Sequence, residues 1–144
     1  MNEQESTVSF FRFEDLRIYA KALDYIHWSH SALPRAISEK NRTIVEDFIR
    51  SAQAIALNIA EGSARNKAQF VYYLKMAKSA VRECVVYSEI AFNEGIIDDQ
   101  DKELSRSQLM ELTKMIGSLV ASLQRSVGTQ GDENAEDDMP NMMI

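Results

Sequence analysis

Apolar residues recur along this chain at alternating steps of three and four, the spacing of helices that pack nearly parallel to one another. Leu16, Tyr19, Leu23, Ile26, His30 and Leu33 form a first row. They predict a helix over residues 14–32, with Asp15 in its first turn and Pro34 closing it. A second helix is predicted over residues 40–61, and it carries two neighbouring rows. One is Ile44, Phe48, Ala52, Ile55 and Ile59; the other is Val45, Ile49, Ala56 and Ala60. Gly62 stands where a left-handed residue would stop it.

The third helix is predicted over residues 67–93, with Asn66 as N-cap and Gly95 as stop. Its first row is Phe70, Leu74, Ala77, Val81, Cys84, Ser88 and Ala91. Its second is Tyr73, Met76, Ala80, Glu83, Tyr87 and Ile90. The fourth, over residues 100–127 and capped by Asp98 or Asp99, has one row: Leu109, Leu112, Ile116, Leu119 and Leu123. Gln108, Glu111, Lys114, Ser118, Ser122 and Arg125 give it a wet side. Short connections between long helices predict an all-α, antiparallel four-helix bundle running up, down, up, down. One bundle core needs one apolar stripe per helix, so the doubled rows of the second and third helices predict an additional interface and a homo-oligomer.

Composition sharpens this picture in three ways. First, 144 residues with 45% apolar content suit one domain, and five Gly with two Pro are too few for a turn-rich β fold. Second, the net charge of −6 is concentrated at the ends. Residues 1–9 read as a flexible leader carrying Glu3 and Glu5. Residues 128–144 read as an acidic disordered tail carrying Asp132, Glu133, Glu136, Asp137 and Asp138. Without these seven acids the remaining chain, a bundle over residues 10–127, has a net charge of +1. Third, Cys84 is the lone cysteine, which excludes an intramolecular disulfide and suits a reducing cytoplasm. No run of apolar residues is long enough for a membrane span, and the first residues lack a secretory signal.

Few residues invite a chemical reading. His27 and His30 are three apart, but no acid at a matching step completes a ligand set, so a partly buried pair beside Trp28 is expected. Neither a phosphate-cradling glycine loop nor a nucleophile elbow is present, and no paired carboxylates stand at a telling spacing. The sequence therefore predicts no catalytic residue, no cofactor and no metal. Glu61 falls at a helix C-terminus, where the helix dipole disfavours negative charge. Arg65 is its near partner, with Arg50 and Arg82 as alternatives, and Asn58 one turn earlier needs hydrogen-bond partners of its own. Asn58, Glu61, Gly62 and Arg65 are thus expected to form a polar clasp at the turn between the second and third helices. Glu83, set in an apolar row, is expected to find a cationic or hydroxyl partner. Lys67, Lys75, Lys78 and Arg82 share one side of the third helix and are the candidate contacts for a phosphate backbone. A solvated helix face is the other reading of the same four residues.

Two stretches carry a family resemblance. One is Phe13-Glu14-Asp15-Leu16 with Ile18, Tyr19, Lys21 and Ala22. The other is Asn58-Ile59-Ala60-Glu61-Gly62-Ser63-Ala64-Arg65, followed by Phe70, Tyr73, Leu74, Met76 and Ala77. They resemble the bacterial S23 family, the 23S rRNA intervening-sequence proteins, over roughly residues 13–123. That resemblance implies a four-helix bundle, a ring-shaped homopentamer and no enzymatic activity. It also implies kinship with the accessory variability proteins of retroelements, which work with nucleic acid. The expected function is a non-enzymatic oligomeric scaffold or binding module for structured RNA or a nucleic-acid complex. A protein–protein adaptor that binds no nucleic acid is the alternative.

Overall fold

The computed structural model describes residues 9–34 and 38–129. Among these residues there are four α-helices and one short 3-10 turn, and no strand. The turn, η1, spans Arg12–Asp15, and the helices are α1 (Arg17–Ala32), α2 (Glu39–Ser63), α3 (Lys67–Asn93) and α4 (Asp99–Thr129). The expectations for residues 1–8 and 130–144 lie outside the described residues.

Helix boundaries follow local chemistry. Ser38 caps α2 through its hydroxyl, which accepts from the Asn41 N–H at 3.3 Å. Asn66 caps α3, accepting from the Gln69 N–H at 2.9 Å, and Asp98 caps α4, accepting from the Asp101 N–H at 2.8 Å. Leu33, held extended before Pro34, ends α1. Gly95, with φ of 75°, ends α3, and Ile96 N–H reaches back to the Ala91 carbonyl at 2.8 Å in the wrap-around closure that a left-handed residue permits.

Cross-helix pairs define the topology. Ser51 meets Glu83, Phe48 stacks on Tyr87 and Lys40 meets Glu94, so α2 and α3 run in opposite directions. Lys67 with Ser126, Ser88 with Ser105 and Glu89 with Lys102 do the same for α3 and α4. Lys21 with Glu111 and Tyr25 with Ser105 do so for α1 and α4. The order is therefore up, down, up, down, with α2 and α3 the most extensive pairing.

The first row of α3 is buried throughout, and α2 buries Phe48, Ala52, Ile55 and Ile59. An aromatic series crosses the core from α1 to α3: Tyr25 stacks on Trp28, Trp28 lies 6.4 Å from Phe48, and Phe48 stacks on Tyr87. In α1 the expected row is displaced. Ile18, Ala22, Tyr25 and Ser29 point into the core, while Leu23 is 43% exposed and His30 is exposed. Leu16, Tyr19 and Ile26 pack against the edge of the core. The large apolar residues thus flank the helix, and two small residues with one satisfied tyrosine make its closest approach.

Candidate nucleic-acid interface and the turn clasp

Gly62 is helical and is not the left-handed stop expected from sequence; α2 continues to Ser63, with Ala64 as its C-cap. A Cβ at Gly62 would lie 2.6 Å from Cβ of Tyr73 and 2.9 Å from the Phe70 ring. The glycine serves close approach of α2 and α3, not backbone handedness. Around it, both the Nε and an Nη of Arg65 donate to one carboxylate oxygen of Glu61, with Nε at 3.1 Å. The guanidinium lies over the Tyr73 ring, 5.1 Å from its centroid. Arg65 thereby supplies the positive charge that a carboxylate in the last turn of a helix requires.

The other expected clasp residues are placed elsewhere. Asn58 donates from its side-chain amide to the Ala54 carbonyl at 2.8 Å, within α2. Glu83 is exposed and accepts from the Ser51 hydroxyl at 2.9 Å, about five turns of α3 away from Arg65. Its partner is the hydroxyl alternative, not a cation. Arg50 pairs with Asp47 at 2.7 Å, and Arg82 donates to the Ser79 hydroxyl at 3.2 Å, so neither serves Glu61. His27 and His30 are both exposed, in place of the partly buried pair expected, because the displaced α1 row turns them outward. Among the described residues no group of three or more His, Cys, Asp or Glu is arranged to hold a metal ion.

Lys67, Lys75, Lys78 and Arg82 share a sector of roughly 80° around α3. That sector borders α4. Lys67 donates to the Ser126 hydroxyl, and the Lys78 ammonium lies where a Cβ on Gly117 would sit 3.9 Å from it. Lys67 and Lys78 thus lie against the seam between the two helices, Lys75 and Arg82 share their sector of α3, and Lys75 and Lys78 are only half-exposed. A seam holds long side chains by their aliphatic stems and presents the charged ends in a row.

Further along α3, past Arg82, the core holds a polar feature that sequence reading missed. The hydroxyls of Tyr25 on α1 and Ser105 on α4 are 2.8 Å apart, and those of Ser105 and Ser88 on α3 are 2.5 Å apart. Ser88 donates to the Cys84 carbonyl at 2.8 Å. One proton per hydroxyl then fixes the direction: Tyr25 donates to Ser105, Ser105 to Ser88, and Ser88 to the carbonyl. All three side chains are buried. The signal available in sequence was a serine inside an otherwise apolar row, at Ser88.

Cys84 lies in the same layer, and burial, with the nearby charge of Glu83, pushes its thiol up to about 12 from an ordinary 9.0. Burial likewise pushes the Tyr25 phenol upward. An acid whose proton is held more tightly in the folded chain stabilises it below the unfolded value and ceases to do so as pH rises through the folded value. Folding stability is thus expected to fall between about pH 9 and 12. Urea midpoints across that range should decline less steeply in Cys84→Ala than in the wild type; equal slopes would show that Cys84 does not contribute.

This architecture defines a class: an all-α four-helix bundle with a closed core, a polar clasp at one turn and a row of cations along one side of α3. The chain belongs to the 23S rRNA-intervening sequence protein family, whose model matches residues 14–118. The match takes in the clasp and the whole cationic stripe, and it stops before the last turns of α4. No curated protein matches the chain.

Proposed function

We propose that this protein is a non-enzymatic, homo-oligomeric helical scaffold that binds structured RNA by its phosphates. The observation that carries this reading is the alignment of Lys67, Lys75, Lys78 and Arg82 along one sector of α3 beside α4, spanning ~22 Å at 1.5 Å per residue. Such a row can follow a charged backbone and offers no base-stacking platform between its members, so contact is with phosphates. The family name connects these proteins with insertions in 23S rRNA genes, which favours RNA over other polyanions.

A gel-shift titration with structured RNA tests it. Affinity should fall steeply with salt, and the double substitution Lys75→Glu with Lys78→Glu should abolish the shift. Binding that survives the double substitution would remove the seam as the interface.

Oligomerisation rests on separate residues. Leu57 is 67% exposed on α2, and Tyr72, Met76 and Val86 are exposed on α3. Large apolar side chains left outside a bundle's own core are suited to cover by a second copy. Five copies is the number preferred here, an expectation from the family resemblance and not from the spacing of the apolar rows. Multi-angle light scattering should give a mass several times 16.4 kDa. A stable monomer at tens of micromolar would refute the assembly. The same exposed residues favour the second reading, a protein–protein adaptor in the cytoplasm, which predicts self-association with no RNA shift at any salt.

A further inference from the structure

A series of aromatic rings leads outward from the bundle at the start of α1. Tyr19 packs against the edge of the core, and its ring centroid lies 4.9 Å from that of Phe13. Phe13 lies 5.9 Å from Phe11, and Phe11 lies 4.9 Å from Phe10. Phe11 is 54% exposed and Phe10 is 91% exposed. The backbone that carries them is held. Ser9 N–H donates to the Asp15 carboxylate at 3.2 Å, and Glu14 N–H donates to the Phe11 carbonyl at 3.0 Å. Two aromatic faces are thus presented to water from an ordered turn, on an element other than the helices invoked for self-association.

Topology sorts the charges around them. η1 packs on α1 and α2. Successive helices alternate in direction, so the start of α1, the end of α2, the start of α3 and the end of α4 share one end of the bundle. Arg12, Arg17, Arg65, Lys67 and Arg125 lie there and outnumber Glu14, Asp15 and Glu61. Among the described residues no ion pair involves Arg12, Arg17 or Arg125. At the opposite end Glu39, Glu89, Glu94, Asp98, Asp99 and Asp101 outnumber Lys40, Arg42 and Lys102. A polyanion is therefore drawn to the η1 end and repelled from the other. A second copy offering the same end would set like charges together.

We infer that the η1 end is a stacking platform for unpaired bases of RNA, with Phe10 and Phe11 taking the bases and Arg12 and Arg17 the adjoining phosphates. Flat apolar faces set among guanidinium groups are what splayed-out bases require. This inference rests on the reading that the protein binds RNA, and it adds a preference that the α3 stripe lacks. Lys67 opens the stripe at this same end, so a stem held by its phosphates along α3 continues toward the platform. The stripe holds any stem, and the rings select one with unpaired bases beside it.

Two RNAs of equal length test it on the full chain at one salt concentration: a hairpin with an unpaired loop and a fully paired duplex. The wild type should bind the hairpin roughly tenfold more tightly. Phe10→Leu with Phe11→Leu should bring the hairpin down to the level of the duplex and leave the duplex unchanged. Leucine keeps the apolar bulk and removes the aromatic face, and both rings lie outside the core, so circular dichroism should not change. Phe10→Tyr with Phe11→Tyr should retain the preference. An iodinated uridine in the loop should photo-cross-link to Phe10 or Phe11. Equal binding of the two RNAs, a preference that survives the leucines, or cross-links confined to other residues overturn the platform. So does a leucine variant of lower mass in light scattering with its loop preference intact, which would make the rings a contact between copies. Duplex binding that needs Lys75 and Lys78 but shows no loop preference would uphold the stripe and overturn the platform. A phenylalanine-dependent preference that survives Lys75→Glu with Lys78→Glu would do the reverse, and a protein that binds neither RNA would overturn both.

Discussion

Replacing Gly62 by alanine is expected to destabilise the protein by about 1–3 kcal/mol, the cost of overpacking a close contact. Two effects oppose each other. Alanine favours a helix over glycine by ~1 kcal/mol, which alone would stabilise α2. Against it stands a Cβ placed 2.6 Å from Cβ of Tyr73 and 2.9 Å from the Phe70 ring. Neither atom is the free end of a flexible side chain, so the backbones of α2 and α3 must separate at the turn where Arg65 clasps Glu61. The clash therefore wins. Gly117 supplies the contrast: it lies within α4, and a Cβ there would meet only the Lys78 ammonium, at 3.9 Å. Gly117→Ala should stabilise by ~0.5–1 kcal/mol. Thermal unfolding should thus move in opposite directions for the two substitutions. Equal shifts of the same sign would show that close approach is not the role of Gly62.

The second large effect is expected at the buried hydroxyl series. Ser105→Ala removes the middle member and with it the acceptor 2.8 Å from the Tyr25 phenol, which must then turn to Ser88 or Cys84, at a cost of about 1–2 kcal/mol. Tyr25→Phe is milder, because Ser105 keeps Ser88 as its acceptor. The double substitution should cost no more than Ser105→Ala alone, because the displaced donor is gone. A strictly additive cycle would mean that the three hydroxyls do not act as one series. The helices they join belong to three different parts of the chain, so the series also disfavours any sliding of α1 or α4 against α3, which would strand a hydroxyl in the core.

Helix count, class and most boundaries were legible in sequence because they depend on local or periodic information. The first rows of α2 and α3 and the row of α4 lie on the core side, whereas the second row of α3 leaves Met76 and Glu83 exposed, and α3 begins and ends where its cap and its left-handed glycine place it. The cationic stripe was equally legible, since positions on one helix share a sector by geometry alone. In α1, however, the row of largest apolar residues differs from the row that packs most closely. Leu23 outranks Ala22 in hydrophobicity, yet Ala22 is buried because a small residue lets the helix approach its neighbours. Tyr25 is buried because Ser105, 80 positions away, satisfies its hydroxyl. No local pattern carries that partner.

The clasp divides in the same way. Glu61 and Arg65 are four apart on consecutive turns, and their pairing follows from the sequence and the helix dipole. Asn58 turns instead to the Ala54 carbonyl one turn earlier in α2, a local bond, whereas the partner of Glu83, the Ser51 hydroxyl, was set by how α2 lies on α3. Gly62 marks the boundary between the two kinds of information. By itself the sequence determined that a glycine ends the apolar rows of α2 before a turn. Only the tertiary structure decided that it is needed for closeness and not for handedness, because the atoms it makes room for belong to Phe70 and Tyr73 on the next helix.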